Sequence, residues 1–236
     1  MRINRFFTDQ GICSRREADR MVEAGRITIN GKVAIHGDQI QEGDEIRLDG
    51  KIVGTKDKKS VIIAFNKPAG VECTSDPEVP NNIITAVNYP ERVFHIGRLD
   101  KMSEGLILLT NIGDIVNKIL RRRYGHEKEY IVIFDQPISH SQIQHLQRGV
   151  ELDDGPTAPC KAERMGSRRL RIILTEGRNR QIRRMAEALG FRVMRLKRIR
   201  VMNITLGDLP KGRWRELNSE ETASLLGSLS DINDKV

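Results

Sequence analysis

Long apolar runs are missing from this 236-residue chain, and their absence excludes a helical membrane span, which needs about 20 consecutive apolar residues. The first residues, Met-Arg-Ile-Asn-Arg-Phe-Phe, lack the apolar centre of a secretory signal. Cysteine is scarce. Cys13, Cys73 and Cys160 are odd in number and far apart, so they suggest neither a disulfide framework nor a zinc site. His36, His95, His126, His140 and His145 show no metal-ligand spacing, and there is no nucleotide-binding loop and no internal repeat. These absences predict a protein of the reducing cytoplasm that works without a metal or other cofactor. Its 38% hydrophobic and 31% charged residues mark it as globular, with room for one large domain or a large and a small one.

What is present in excess is positive charge, 40 Lys and Arg against 32 Asp and Glu. Most of the surplus sits in one stretch. Arg164 to Arg200 holds 13 basic and 2 acidic residues, a local +11, and leaves the rest of the chain at −3. Such a segment is the footprint of a polyanionic partner. A membrane surface is disfavoured, because the segment has no amphipathic face with Trp or Phe to insert. Nucleic acid remains.

Ile3, Phe6 and Phe7 follow helical spacing. A second helix starts with the capping pattern Ser14 and Glu17, buries Ala18, Met21 and Val22, and stops at Gly25. Arg15, Arg16 and Arg20 lie off that stripe, as a solvated face or as RNA contacts. Ile27 and Ile29, then Asn30-Gly31, then Val33 and Ile35 read as a hairpin, and Ile46 to Leu48 as a further strand. Together with the run Gln41-Glu-Gly-Asp44, these elements resemble the alpha-L RNA-binding module first seen in a ribosomal small-subunit protein. The resemblance covers residues 1–48 and implies that the arginines of the second helix lie along RNA phosphates. Residues 49–60 read as a linker to a second domain, residues 61–236.

In that domain Val61 to Phe65 reads as a buried strand with a sharp exit through Asn66-Lys-Pro-Ala-Gly70, and Ile83 to Asn88 as a helix. Val93 to Ile96 and Gly105 to Thr110 read as buried strands flanking a polar turn that carries Arg98 and Asp100. A carboxylate between two rigid segments suits a reactive group in a cleft, although Asp also simply initiates turns. Further on come a helix at Asp114 to Leu120, a strand at Glu127 to Phe134 with Lys128, Tyr130 and Val132 on one face, and a helix around Ile143 and Leu146. Leu170 to Leu174 reads as a strand, followed by a helix from Arg180 to Leu189 and two strands near Val193 to Leu196 and Val201 to Leu206. Short connections between most strands predict an α+β domain on a mixed, mostly antiparallel sheet with flanking helices. On the helix Arg180 to Leu189, a stripe of Ile182, Met185, Ala186 and Leu189 faces inward. At about 100° per residue, Arg180 and Arg184 point away from it while Arg183 and Gln181 lie on its borders. A border arginine is either a surface charge or the partner of a carboxylate in a cleft.

Taken together, Gly97-Arg-Leu-Asp100, Gly105-Leu-Ile-Leu-Leu-Thr-Asn111, Lys128-Glu-Tyr130, Glu176-Gly-Arg-Asn-Arg-Gln-Ile-Arg-Arg-Met185 and Asn66-Lys-Pro-Ala-Gly70 resemble the pseudouridine synthases of ribosomal RNA. The details Asn117-Lys-Ile-Leu, His126-Glu-Lys-Glu-Tyr and Met202-Asn are nearest to the F type among the synthases of the large ribosomal subunit, without the long basic C-terminal tail that some members of that type carry. The resemblance implies an isomerase that flips a uridine from large-subunit (23S) RNA and converts it to pseudouridine. By the same resemblance Asp100 is the nucleophile, Arg183 pairs with it, Tyr130 lies against the base, Leu196 closes the base pocket and Arg98 braces the RNA. Tyr130 as sheet packing and Leu196 as core are the plainer readings. Arg178, Arg180 and Arg184 are expected to contact RNA. A monomer is expected, with no membrane partner and transfer RNA as a rival substrate. A non-catalytic ribosome-associated RNA-binding protein is the rival from another class.

Overall fold

A computed structural model describes residues 1–54, 59–121 and 124–230 of the chain. They fall into two units, the first built mainly on Met1–Ser60 and the second beginning at Val61.

In the first unit α1 (Ile3–Asp9) and α2 (Arg15–Glu23) cover a four-stranded antiparallel sheet of order β2-β1-β3-β4. The strands are β1 (Ile27–Ile29), β2 (Lys32–Val33), β3 (Ile46–Leu48) and β4 (Lys51–Ile52). Phe6, Phe7, Ala18, Val22, Ile27 and Ile46 form the core between the layers. Ser14 caps α2 by accepting the amide of Glu17 at 3.1 Å, and the Glu17 carboxylate turns to Arg20 at 3.2 Å. The Asn30-Gly31 turn takes φ of 50° and 79°, the mirror-image geometry that suits a two-residue hairpin. Asp44 ties the later Gln41-Glu-Gly-Asp44 turn to this hairpin: it accepts from Asn30 Nδ2 at 2.7 Å and from the Gln41 amide at 2.7 Å. One boundary is corrected. Asp49-Gly50, with φ of 49° and 75°, makes a second such turn, so Lys51 and Ile52 belong to the sheet and not to a linker. Residues 55–58 of that expected linker lie outside the described residues.

The second unit is one large sheet of order β13-β5-β7-β11-β8-β10-β9. Its strands are β5 (Ile62–Lys67), β6 (Phe94–Ile96), β7 (Glu104–Thr110), β8 (Lys128–Phe134), β9 (Lys161–Gly166), β10 (Arg169–Leu174), β11 (Val193–Val201), β12 (Ile204–Thr205) and β13 (Trp214–Glu216). The helices are α3 (Ile83–Val87), α4 (Gly113–Leu120), α5 (His140–Arg148), α6 (Gln181–Ala188) and α7 (Ser219–Ser230). Among the described residues no helix is long and apolar enough to cross a membrane.

Among the described residues every pairing between these strands is antiparallel except β7 with β11, where Glu104 and Gly105 lie beside Lys197 and Arg198. At this junction Gly105 has φ of 102°, and a Cβ there would stand 2.2 Å from the Arg198 carbonyl oxygen, so only glycine fits. Because β5 pairs along all of β7 from Gly105 to Thr110, β6 and β11 must share its other edge, β6 at Leu108 to Thr110 and β11 at Glu104 and Gly105. The turn between β6 and β7 therefore swings out over the first half of β11. Topology places Asp100 there.

Three readings of this unit are corrected. The two strands expected near residues 193 and 201 are one nine-residue strand, β11, followed by a tight Met202-Asn203 turn into β12. The strands β9 and β13 and the helix α7 had no sequence expectation. The helix expected from Arg180 begins at Gln181, with Arg180 as a left-handed N-cap residue (φ 48°).

Candidate active site

The turn carrying Asp100 is held from beneath by a lysine. Lys67 ends β5, is fully buried, and donates from Nζ to the carbonyls of Pro68 (2.9 Å), Lys101 (3.1 Å) and Ser103 (2.8 Å). The amide of Gly70 also reaches the Lys101 carbonyl at 2.8 Å, and the Leu99 amide donates to Cys73 Sγ at 3.3 Å. His95 bonds the Gly97 carbonyl through Nδ1 at 2.8 Å, a bracing role for the turn. Burial draws the Lys67 ammonium below its usual value, while Cys73, Asp100 and Glu104 act to raise it. Sequence reasoning took Asn66 to Gly70 as a chain exit and missed this anchor. The signal was a lysine directly before proline at the end of an apolar strand.

Arg183 comes to Asp100 from the opposite wall. Its Nη1 donates to the Val193 carbonyl at 3.0 Å and its Nη2 to Ser103 Oγ at 3.4 Å. These two anchors leave Nε facing Asp100 Oδ2 at 3.7 Å, the closest approach between the two charges, with no hydrogen bond of its own among the described residues. Burial pulls the guanidinium's pKa down, and Asp100 opposes that pull. The Arg183 side chain is 12% exposed and that of Asp100 30%, so the carboxylate opens towards the cleft while its partner is enclosed. A charge pair in a partly dehydrated site is stronger than in water and keeps the carboxylate aimed.

The cleft has a volume of about 670 Å³ and its lining includes Asp100, Arg183, Tyr130, Leu196, Lys128 and Arg198. Register sets the order of its floor. Leu196 stands beside Val132, Tyr130 beside Arg198 and Ile172, and Lys128 beside Val201 and Leu174. Tyr130 and Leu196 are both buried, and Arg198 is buried with Nε donating to the Leu106 carbonyl at 2.7 Å. The result is a floor that includes Tyr130 and Leu196, in a cleft that also holds the Asp100–Arg183 pair. It suits a planar ring bound face-on beside a nucleophile or base.

Of the arginines expected to meet RNA, the structure separates two groups. Arg98 at the mouth, Arg180 at the start of α6, and Arg15, Arg16 and Arg20 on α2 are exposed. Arg178 and Arg184 have partners within the fold. Arg178 donates to the carbonyls of Asp154, Gly155 (2.7 Å) and Pro156, and Arg184 pairs with the Asp154 carboxylate. Both are engaged within the fold, tying the turn before β9 to α6. Gln181, expected on a border, is buried, donating to Glu176 at 2.8 Å and accepting the Arg178 amide at 3.0 Å.

Comparison with known proteins bears on this arrangement. The pattern of the RNA pseudouridylate synthase family fits residues 61–188, and that of the S4 domain fits residues 1–46. A dual-specificity RNA pseudouridine synthase, RluF, of Escherichia coli (strain K12) is 44% identical over 237 residues, covering 100% of this chain and 82% of that protein. Ribosomal large subunit pseudouridine synthase B of Bacillus subtilis (strain 168) is 33% identical over 233 residues, covering 95% of each. The crystal structure of a pseudouridylate synthase superposes with a TM-score of 0.70 at 28% identity, covering 95% of this chain and 99% of that one.

Proposed function

We propose, from the premise that the chain belongs to the RNA pseudouridylate synthase family, that it isomerises a specific uridine of large-subunit (23S) ribosomal RNA to pseudouridine. The observation that carries the reading is the Asp100–Arg183 pair, set at the edge of a cleft whose floor is Tyr130 and Leu196. The reaction breaks the bond from the ribose anomeric carbon to N1 and forms one to C5. The proton on C5 is lost, N1 gains one, and the overall composition is unchanged. No redox partner enters the balance.

Asp100 is the group that attacks or deprotonates the nucleoside. Arg183 holds it oriented, Tyr130 supports the ring while it turns, and Leu196 closes the far wall. A uridine inside an A-form helix is out of reach, so the substrate base is flipped from a loop or bulge, with Arg98 bracing the RNA it leaves. Residues 1–48, with Arg15, Arg16 and Arg20 outward, add phosphate contacts that do not read sequence. We assign the protein to the cytoplasm as a monomer. The "dual-specificity" in the name of the 44% identical relatives favours a second RNA substrate, and transfer RNA is the one to include.

The test is pseudouridine formation in transcribed large-subunit RNA and in transfer RNA by the natural chain and by Asp100→Asn. Product from the first and none from the second, with RNA binding retained, is expected. Equal product from both would overturn the role of Asp100.

A further inference from the structure

The triplet Lys128-Glu-Tyr130 places a lysine and a tyrosine on one face of β8, and the isomerase reading uses only the tyrosine. Lys128 also lines the cleft. Its neighbours are apolar: Leu174 on β10, Val201 on β11, and Ile119 and Leu120 of α4 at the same end. The charged or titratable groups turned towards it are Arg198 from β11 and His126 from the segment before β8, with Glu176 after β10, Arg183 on α6 and Asp100 elsewhere along the cleft wall. Its Nζ makes one long hydrogen bond, 3.3 Å to the His126 carbonyl, and no acidic side chain pairs with it among the described residues. Among the described residues its other two donors have no partner. Holding an ammonium half-buried and so poorly matched is costly.

Resting on the isomerase reading, we propose that Lys128 recognises the target base, its ammonium donating to a carbonyl oxygen on the edge of the uracil that lies against Tyr130. Position supports this. Asp100 and Arg183 stand at the Val193–Leu196 end of β11, Tyr130 lies at Arg198, and Lys128 lies beyond it at Val201. One step of two residues along a strand is roughly 7 Å. A nucleoside with its anomeric carbon at Asp100 and its ring on Tyr130 therefore turns its far edge to Lys128. When the detached base turns over to present C5, its C2 and C4 carbonyls exchange places. A fixed donor so meets an acceptor before and after the turn. Cytosine carries an amino group at C4, which sets donor against donor. The apolar residues beside Lys128, Leu174 and Val201, favour a neutral base edge there over a phosphate, which would have to shed its water against them. Burial, with the Arg198 charge adding to it, draws the Lys128 pKa down to about 8, so the bare cleft holds this proton weakly.

The experiment compares the natural chain, Lys128→Met and Lys128→Arg in single-turnover reactions on the transcribed RNA, with RNA affinity measured in parallel and pH varied. Loss of a charge-assisted bond should lower the Lys128→Met rate constant by roughly 10- to 100-fold while Kd changes by less than about threefold. At sub-saturating protein, where the rate reports the ionisation of the RNA-free chain, the natural chain should lose rate as pH rises above about 8, and the partly active Lys128→Arg, which stays charged, should not. An unchanged Lys128→Met rate would overturn the proposal. So would a loss seen in Kd with the salt-dependence slope reduced by about one, the mark of a phosphate contact. Should Lys128→Met fail to fold, the alkaline limbs decide: an equal fall in the natural chain and in Lys128→Arg refutes the role. Absence of product from the natural chain would sink the isomerase reading itself, and this one with it.

Discussion

Replacing Lys67 by methionine removes an ammonium and little else, so its effect can be worked from three hydrogen bonds. The Lys101 carbonyl keeps the Gly70 amide at 2.8 Å, whereas the carbonyls of Pro68 and Ser103 lose the donor that Lys67 supplies. A buried acceptor left unmet costs about 1–3 kcal/mol, giving roughly 2–6 kcal/mol for two. Against this, the ammonium's own dehydration no longer has to be met, a gain of some kcal/mol when an apolar group of like volume takes its place. The difference puts the net loss near the lower end, about 2–3 kcal/mol. Trp214, the sole tryptophan, pairs with Phe65 on the strand that carries Lys67, so its fluorescence reports unfolding of the right unit in urea. The functional effect should exceed the stability effect. Residues 101–103 lead away from Asp100, and a shift of about 1 Å in a reacting group costs on the order of 100-fold in rate. Stability within about 0.5 kcal/mol of the natural chain, together with an unchanged single-turnover rate, would show that the lysine does not hold the turn.

Two further outcomes are expected. Gly105→Ala brings a Cβ against the backbone of Arg198 at a φ of 102°, and neither side can yield, so the same fluorescence titration should show a loss of about 2–4 kcal/mol; a midpoint like that of the natural chain would mean that β7 and β11 are not so tightly joined. Acid stability should depend on Glu129, whose burial works to raise its pKa but is outweighed by Arg171 (2.6 Å) and Arg200 (2.7 Å), leaving it below the ordinary 4.5. With the folded value depressed, the unfolded chain takes up the proton first. The stabilisation is thus complete above about pH 4.5 and is lost as pH falls through the lower folded value. Thermal midpoints across this range should fall less steeply for Glu129→Gln, and parallel acid limbs for the two proteins would contradict the assignment.

The parts of the fold legible in the sequence were those fixed by nearby residues. Ser14 and Gly25 bracket α2, and Asn30-Gly31 sets a hairpin, because capping and turn geometry act over a few positions. What escaped depended on distant partners. β9 is an edge strand with only Ala162 buried, so it has no apolar alternation to betray it. β11 looked like two strands because Arg198 interrupts its apolar residues, and only the Leu106 carbonyl, 92 residues away, makes a buried arginine tenable there. In the site, the helical wheel placed Arg180 and Arg183 usefully, and Arg183 does reach Asp100. It could not show that Arg184, like Arg178 before the helix, meets Asp154, because that acceptor lies on a turn 24 to 30 residues earlier. Charge density foretold a basic surface without saying which charges the protein keeps for itself.

The parallel pairing of β7 with β11 also bears on when the Asp100–Arg183 pair can form. Asp100 belongs to the half of the sheet made by residues 61–110, and Arg183 to the half made by residues 128–205. Each half is a set of neighbouring antiparallel strands that can form with modest loop-closure cost, whereas Glu104 meets Lys197 across 93 residues of chain. The seam should therefore be the late event on the way to the native state, and the ion pair exists only once it has closed. On the ribosome, a nascent chain that has not yet emerged past α6 and β11 already carries Asp100 and much of its scaffold, but not the arginine that pairs with it. If Asp100 is the reacting group proposed above, its site is therefore incomplete until synthesis of the fold is nearly finished.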